Sequence, residues 1–249
     1  MKTISMDVFY DEISKLLDVV YDSQHENITK AADIMANSIA NGGVIHVFGS
    51  GHSVGFGLEM KNRIGSLACI HSIQTTDFVV KGKITLEDLK DPDNIFERRP
   101  GIADKMYDLY DMHASDCFII ISNSGINGLV IDMAIKAREK GHKVIVVTSW
   151  QHTNAEDSRH PSGKKLYQLG DVVIDNCGPQ GDALLQTDSV EKVCSVSSIT
   201  GACIAQTLTS ETCQLLKEKG LEAPILWDES LHQAQEHNDA IRNKYQGRV

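Results

Sequence analysis

The chain has 249 residues, enough for one large α/β domain, and 41% of them are hydrophobic, the composition of an ordinary globular protein. Thirty-four acidic against 24 basic residues give a formal charge of −10, which argues against nucleic acid or an anionic membrane as the main partner but leaves room for a small phosphorylated ligand. Six dispersed cysteines form no metal-ligand pattern and read as reduced core residues; no metal and no cofactor is expected. The opening MKTISMDVFYDE has no apolar signal core and no apolar run approaches a membrane span, so a cytoplasmic location is expected.

In chain order, apolar residues from Met6 to Ala40 recur at three- and four-residue steps, predicting one long helix or two, stopped by Asn41-Gly42-Gly43. His25 reads as an exposed position on it. The stretch that follows, VIHVFGSGHSVGFGLEMKNRIG over 44–65, organises the rest. An apolar β-branched run ends in Gly49-Ser50-Gly51 and continues at helical spacing, which reads as strand, tight turn, helix. Free amides at such a helix start favour an anion, and Ser50, His52 and Ser53 add side-chain donors.

LACIHSI over 67–73 reads as a second strand, and 75–104 is a charged, irregular insertion, far longer than a usual connection. The opening pattern then recurs. CFIII over 117–121 is a strand, Ser122-Asn123-Ser124-Gly125-Ile126-Asn127 a turn, 128–140 an amphipathic helix and KVIVVT over 143–148 the next strand. A polar loop over 149–165 contains His152 and His160, and DVVID over 171–175 is a strand. Helical spacing then predicts a long helix over 188–219 and a polar one over 227–245. Strands alternating with helices imply a doubly wound, mainly parallel sheet in a single domain. It carries an N-terminal helical extension (about 1–42), the inserted loop (about 75–104) and a C-terminal helical tail (about 222–249).

Two Gly/Ser turns, each after a parallel strand and before a helix, form a ligand crevice in open α/β sheets. GSGHS at 49–53, SNSG at 122–125 and the downstream AREKGHKVIVVTS and LGDVVID resemble the sugar isomerase (SIS) domain, flavodoxin-like in fold, most similar to its phosphoheptose isomerase-like branch. The resemblance implies that Ser122, Asn123 and Ser124, with the amides of Gly125 and Asn127, hold a phosphate, and that Ser50, Gly51 and Ser53 reach the sugar or phosphate. It also implies a homodimer or higher homo-oligomer. Helix capping is the competing account of the serines.

The branch's catalytic Glu and His are not reproduced, for Arg63 stands at the Glu position and no His lies near 191–195. His52 and Glu59, seven residues apart and followed by Arg63 four later, are placed on one helical face as substitutes, with Glu191 on the later helix as a third candidate. His152 and His160 are further alternatives. An i,i+4 Glu59–Arg63 ion pair is the competing account. The expectation is an aldose–ketose isomerase acting on a sugar phosphate, the alternatives a non-catalytic sugar-phosphate sensor or an amino-sugar-phosphate etherase or lyase.

Overall fold

The computed structural model describes residues 4–96, 99 and 101–249. Glu97, Arg98 and Pro100 of the charged insertion lie outside the described residues. The first helix is continuous, α1 (Met6–Ala40), begun by the Ser5 hydroxyl accepting from Val8 N at 3.2 Å. Its inner face buries Ile13, Val20, Ile28, Ala31 and Met35.

The sheet is built from β1 (Ile45–Gly49), β2 (Ile70–Ile73), β3 (Cys117–Ile121), β4 (Lys143–Thr148) and β5 (Val172–Asp175), paired in parallel in the order β2-β1-β3-β4-β5. Every residue of β1, β2 and β3 is buried, as parallel strands covered on both faces should be, the polar His46, His71 and Ser72 included. One apolar layer is closed by α1, by α2 (Val54–Met60) and by α8 (Ser197–Glu218). The other is closed by α5 (Ile102–Tyr107) and α6 (Gly128–Glu139). Between β2 and α5 the insertion holds two short helices, α3 (Asp77–Val80) and α4 (Leu86–Lys90), so it is less irregular than its composition suggests. The polar loop after β4 likewise contains α7 (Trp150–Ala155).

The largest departure from the sequence reading lies between β5 and α8. A hairpin of β6 (Ala183–Gln186) and β7 (Lys192–Ser195) occupies the first turns of the expected 188–219 helix, and α8 starts only at Ser197. Asp182 sets that start. Its carboxylate accepts from Ser197 N at 2.7 Å, Ser197 Oγ at 2.7 Å and Val196 N at 3.2 Å. The final helix is also shorter than expected, α9 (Ala234–Lys244). The chain before it bridges Leu67 through Ile225 instead of being helical. Of the six cysteines, Cys194 and Cys203 are exposed rather than core residues.

Under the amino ends of the strands lies a buried polar cluster. Asp116 accepts from Val44 N at 2.8 Å, His113 N at 2.7 Å and His46 Nε2 at 3.2 Å, and Arg248 from the chain's end reaches both its oxygens at 2.7 Å. His46 Nδ1 meets His71 Nδ1 at 3.0 Å, and His142 joins Tyr107 Oη at 2.7 Å to the Asp116 carbonyl at 3.1 Å. Burial pushes both His46 and His71 down, His71 to about 3. Burial alone would raise Asp116, but the hydrogen bonds from His46, His113, Val44 and Arg248 outweigh it and hold the carboxyl well below its ordinary value.

Candidate functional site

From β1 the chain passes to β2 on one side, and it returns to β3 on the other, so the carboxyl ends of β1 and β3 flank the topological switch point where open α/β sheets bind ligands. Two turns meet there. In the first, a Cβ on Gly49 would lie 2.8 Å from Ser53 O, so only glycine lets the strand fold back this tightly. One tight helical turn, Gly51–Ser53, precedes α2, which has only seven residues and ends at Met60. His52 therefore sits ahead of a short helix, and Arg63 lies beyond its end, so the single helical face expected for His52, Glu59 and Arg63 is not formed.

The second turn is stapled from below. Ser122 Oγ accepts from Gly125 N at 3.1 Å, and the Thr153 hydroxyl donates to Ser124 O. Gly125 has φ +61°, and a Cβ there would sit 2.6 Å from Thr153 Oγ1, so the turn needs glycine twice over. Asn127 precedes α6 without capping it. Its Oδ1 instead accepts from Arg159 Nη1 at 3.3 Å, which draws it into a separate cavity of about 580 Å³ beside Arg99, Asp132 and His160.

A cavity of about 220 Å³ opens at the switch point, lined by His52, Ser53, Phe56, Glu59, Asn123, Asn176 and the start of α8 at Ser197, Ser198 and Gly201. It brings together two of the expected catalytic residues, His52 and Glu59, with two of the expected binding residues, Ser53 and Asn123. Ser50, Gly51, Ser122, Ser124 and Gly125 form the adjoining turns without lining it, and Asn127 lines the other cavity. The hydroxyls of Ser50, Ser53 and Ser124 have no hydrogen-bond partner among the described residues, unlike that of Ser122.

Glu59 is half-buried and held on both sides, accepting from Gln206 Nε2 at 2.8 Å and pairing with Arg63. Glu191 is not on α8. It is an exposed residue of the hairpin, its carbonyl taken by Thr187 N at 3.1 Å, and it does not reach the cavity. His160 pairs with Asp132 at 2.8 Å away from the crevice, and His25 is exposed on α1. His152 stands behind the second turn, its Nδ1 3.2 Å from Asn123 Nδ2. Asn176 is not among the residues expected from the sequence, and Ser197 and Ser198 fall inside the expected long helix, where small hydroxylic residues read as packing rather than as a site. The signal for Asn176 was available, since it directly follows β5 and the carboxyl ends of such strands face the crevice.

Among the described residues no group of His, Cys, Asp and Glu is arranged to hold a metal ion, and no helix is long and apolar enough to cross a membrane. The SIS domain family profile matches residues 8–149. A UPF0309 protein of Halalkalibacterium halodurans is 36% identical over 233 residues, 93% of this chain and 94% of its own. Another, from Thermoanaerobacter pseudethanolicus, is 34% identical over 247 residues, 97% of each chain. Among solved structures, a phosphoheptose isomerase from Neisseria gonorrhoeae superposes with TM-score 0.52 at 16% identity, covering 85% of this chain and 96% of that one. One from Francisella tularensis gives 0.53 at 15%, covering 84% and 96%. At such identities the likeness establishes the fold, and the profile and the full-length relatives establish the family. The chain belongs to the SIS domain family and, within it, groups with the UPF0309 proteins.

Proposed function

We propose that the chain binds a phosphorylated sugar in the crevice between β1 and β3 and interconverts its aldose and ketose forms. The observation that carries this reading is the set of hydroxyls at Ser50, Ser53 and Ser124. Capping would engage them, yet they stand unpaired at the switch point, where a phosphate or sugar oxygen supplies what the protein withholds. The phosphoheptose isomerases of the same fold lend the substrate class.

In this reading Glu59 removes the proton from the carbon next to the carbonyl and returns it to the former carbonyl carbon through an enediol. His52 moves the matching proton between the two oxygens, so atoms balance without a co-reactant. The exposed apolar residues Tyr10, Val19 and Tyr21 on α1, with Ile199 at the start of α8, support a homo-oligomer. A second reading, binding without turnover, is favoured by the Gln206 and Arg63 contacts that occupy Glu59.

The two separate in D2O. Pentose, hexose and heptose phosphates left with catalytic amounts of protein are followed by NMR. Isomerisation or exchange of a carbon-bound proton, lost in Glu59→Gln while ligand binding survives, supports the isomerase. Binding with no exchange in the wild-type chain leaves the sensor.

A further inference from the structure

One hydrogen-bonded chain behind the crevice has orientations that chemistry fixes from one end. Gly178 N is a donor, and it lies 2.9 Å from Asn176 Oδ1. The other amide atom of Asn176, Nδ2, therefore donates to Asn123 Oδ1 at 2.9 Å. Asn123 Nδ2 in turn faces His152 Nδ1 at 3.2 Å, so that ring nitrogen must be the bare acceptor and the neutral ring carries its proton on Nε2. Nε2 looks to Glu156 Oε1 at 3.5 Å, and the other oxygen of Glu156 takes Arg159 Nη2 at 2.8 Å.

Asn123 and Asn176 both line the crevice cavity, and each amide spends one of its two N–H groups within the chain. The second N–H of each is taken by no other described residue. A second proton on His152 puts N–H against N–H. Asn123 would then have to turn over, yet Asn176 cannot follow because Gly178 N–H pins its oxygen. One hydrogen bond is lost and the donor pair is broken.

We propose that His152 is a positioning residue which, when neutral, holds Asn123 as a donor into the crevice. It thereby selects a ligand that places acceptor oxygens of a phosphorylated sugar against Asn123 and Asn176, and weakens binding when it takes up a proton. This rests on the crevice being the sugar-phosphate site. Charged groups that bond this chain or the backbone of α7 are Glu156 and Arg159, Lys165, whose Nζ holds Thr153 O at 2.6 Å, and Asp175, which accepts from Trp150 N at 3.0 Å. His52 and Glu59 line the same cavity, so the test is also run in a His52→Gln background.

The test has two arms on the full chain. Nitrogen-15 NMR of the imidazoles reads the His152 tautomer, expected to be Nε2–H at neutral pH, with the Asn123 side-chain amide shifting in step with His152 on acidification. Dissociation constants for glucose 6-phosphate and inorganic phosphate are then measured at successively lower pH in the wild-type chain and in His152→Gln, whose side chain offers an acceptor that takes up no proton. Taking the ratio of the two cancels the phosphate's own ionisation. The ratio is expected to rise about tenfold on acidification, the equivalent of one hydrogen bond, and to do so in the His52→Gln background as well. An Nδ1–H tautomer, an Asn123 amide indifferent to His152, or a flat ratio overturns the assignment. If neither probe binds, the crevice reading falls, and the tautomer still decides the role of His152.

Discussion

The two ends of the sheet use polar residues in opposite ways. At the amino end, His46, His71, Asp116, His142, Tyr107 and Arg248 are joined into a buried cluster in which the Asp116 carboxylate accepts from four residues. Among buried side-chain atoms of the described residues, only Tyr245 Oη and Arg248 Nε lack a partner. At the carboxyl end, the hydroxyls of Ser50, Ser53 and Ser124 have no partner among the described residues, and His52 is exposed at the cavity. A polar group that the fold has already satisfied holds the structure together; one left open beside a cavity is available to a ligand. Substitutions at the amino end should therefore change stability, and substitutions at the carboxyl end should change binding.

The largest effect is expected at Asp116. Asp116→Ala leaves Arg248, His46 and two backbone amides facing an empty site, and should cost about 3–5 kcal/mol in urea unfolding. A loss below about 1 kcal/mol would mean that the cluster is incidental to the fold.

Acid should act through the same residues. An unfolded histidine takes up its proton near its ordinary value of about 6.5, whereas folded His71 takes it only near about 3. Between those values the unfolded chain binds more protons, so stability falls as the pH drops through this window, by up to roughly 4 kcal/mol. The depressed Asp116 adds a further loss below about pH 4, because the stability it contributes is present above its unfolded value and disappears as the carboxylate is protonated. A stability curve flat from neutral pH down to pH 4 would show that the histidines are not buried neutral. Arg248→Met keeps much of the packing and removes the bidentate pair, and should cost about 2 kcal/mol. The smallest stability effect belongs to the crevice: Ser124→Ala should stay within about 0.5 kcal/mol of the wild-type chain in urea while weakening sugar-phosphate binding about tenfold. The reverse pattern, a destabilised protein with unchanged affinity, would make Ser124 a structural residue.

The same contrast explains what could be read from the sequence. β3 and β4 were legible because buried parallel strands are nearly unbroken apolar runs, β1 because its run is interrupted only by His46, and the Gly49 and Gly125 turns because no other residue fits them. The hairpin over 183–195 was not. Val190, Val193 and Val196 recur every three residues, as on a helix, and the left-handed backbone of Cys194, φ +69°, leaves no mark in composition. That helix-like spacing is what places Glu191 at the site in the sequence, whereas it lies exposed on the hairpin. Ser53, His52 and Glu59 could be placed because they are local to the first turn. The chain from Asn176 through Asn123 to His152 could not, since its members are 53 and 29 residues apart and meet only when β3, β4 and β5 align. Asn127 left its expected place for the same reason, drawn away by Arg159 from a distant loop.

The most direct test of the account is a calorimetric titration of the wild-type and Ser124→Ala chains with glucose 6-phosphate, sedoheptulose 7-phosphate and the two unphosphorylated sugars, paired with thermal unfolding. A ligand present at about a hundred times its dissociation constant stabilises a fold by about 2.7 kcal/mol, well within reach of both methods. At least one phosphorylated sugar should bind and stabilise the wild-type chain, its unphosphorylated form should not, and Ser124→Ala, binding about tenfold more weakly, should lose about half of the gain. No binding of either phosphorylated sugar, or binding indifferent to the phosphate and to Ser124, would contradict the account.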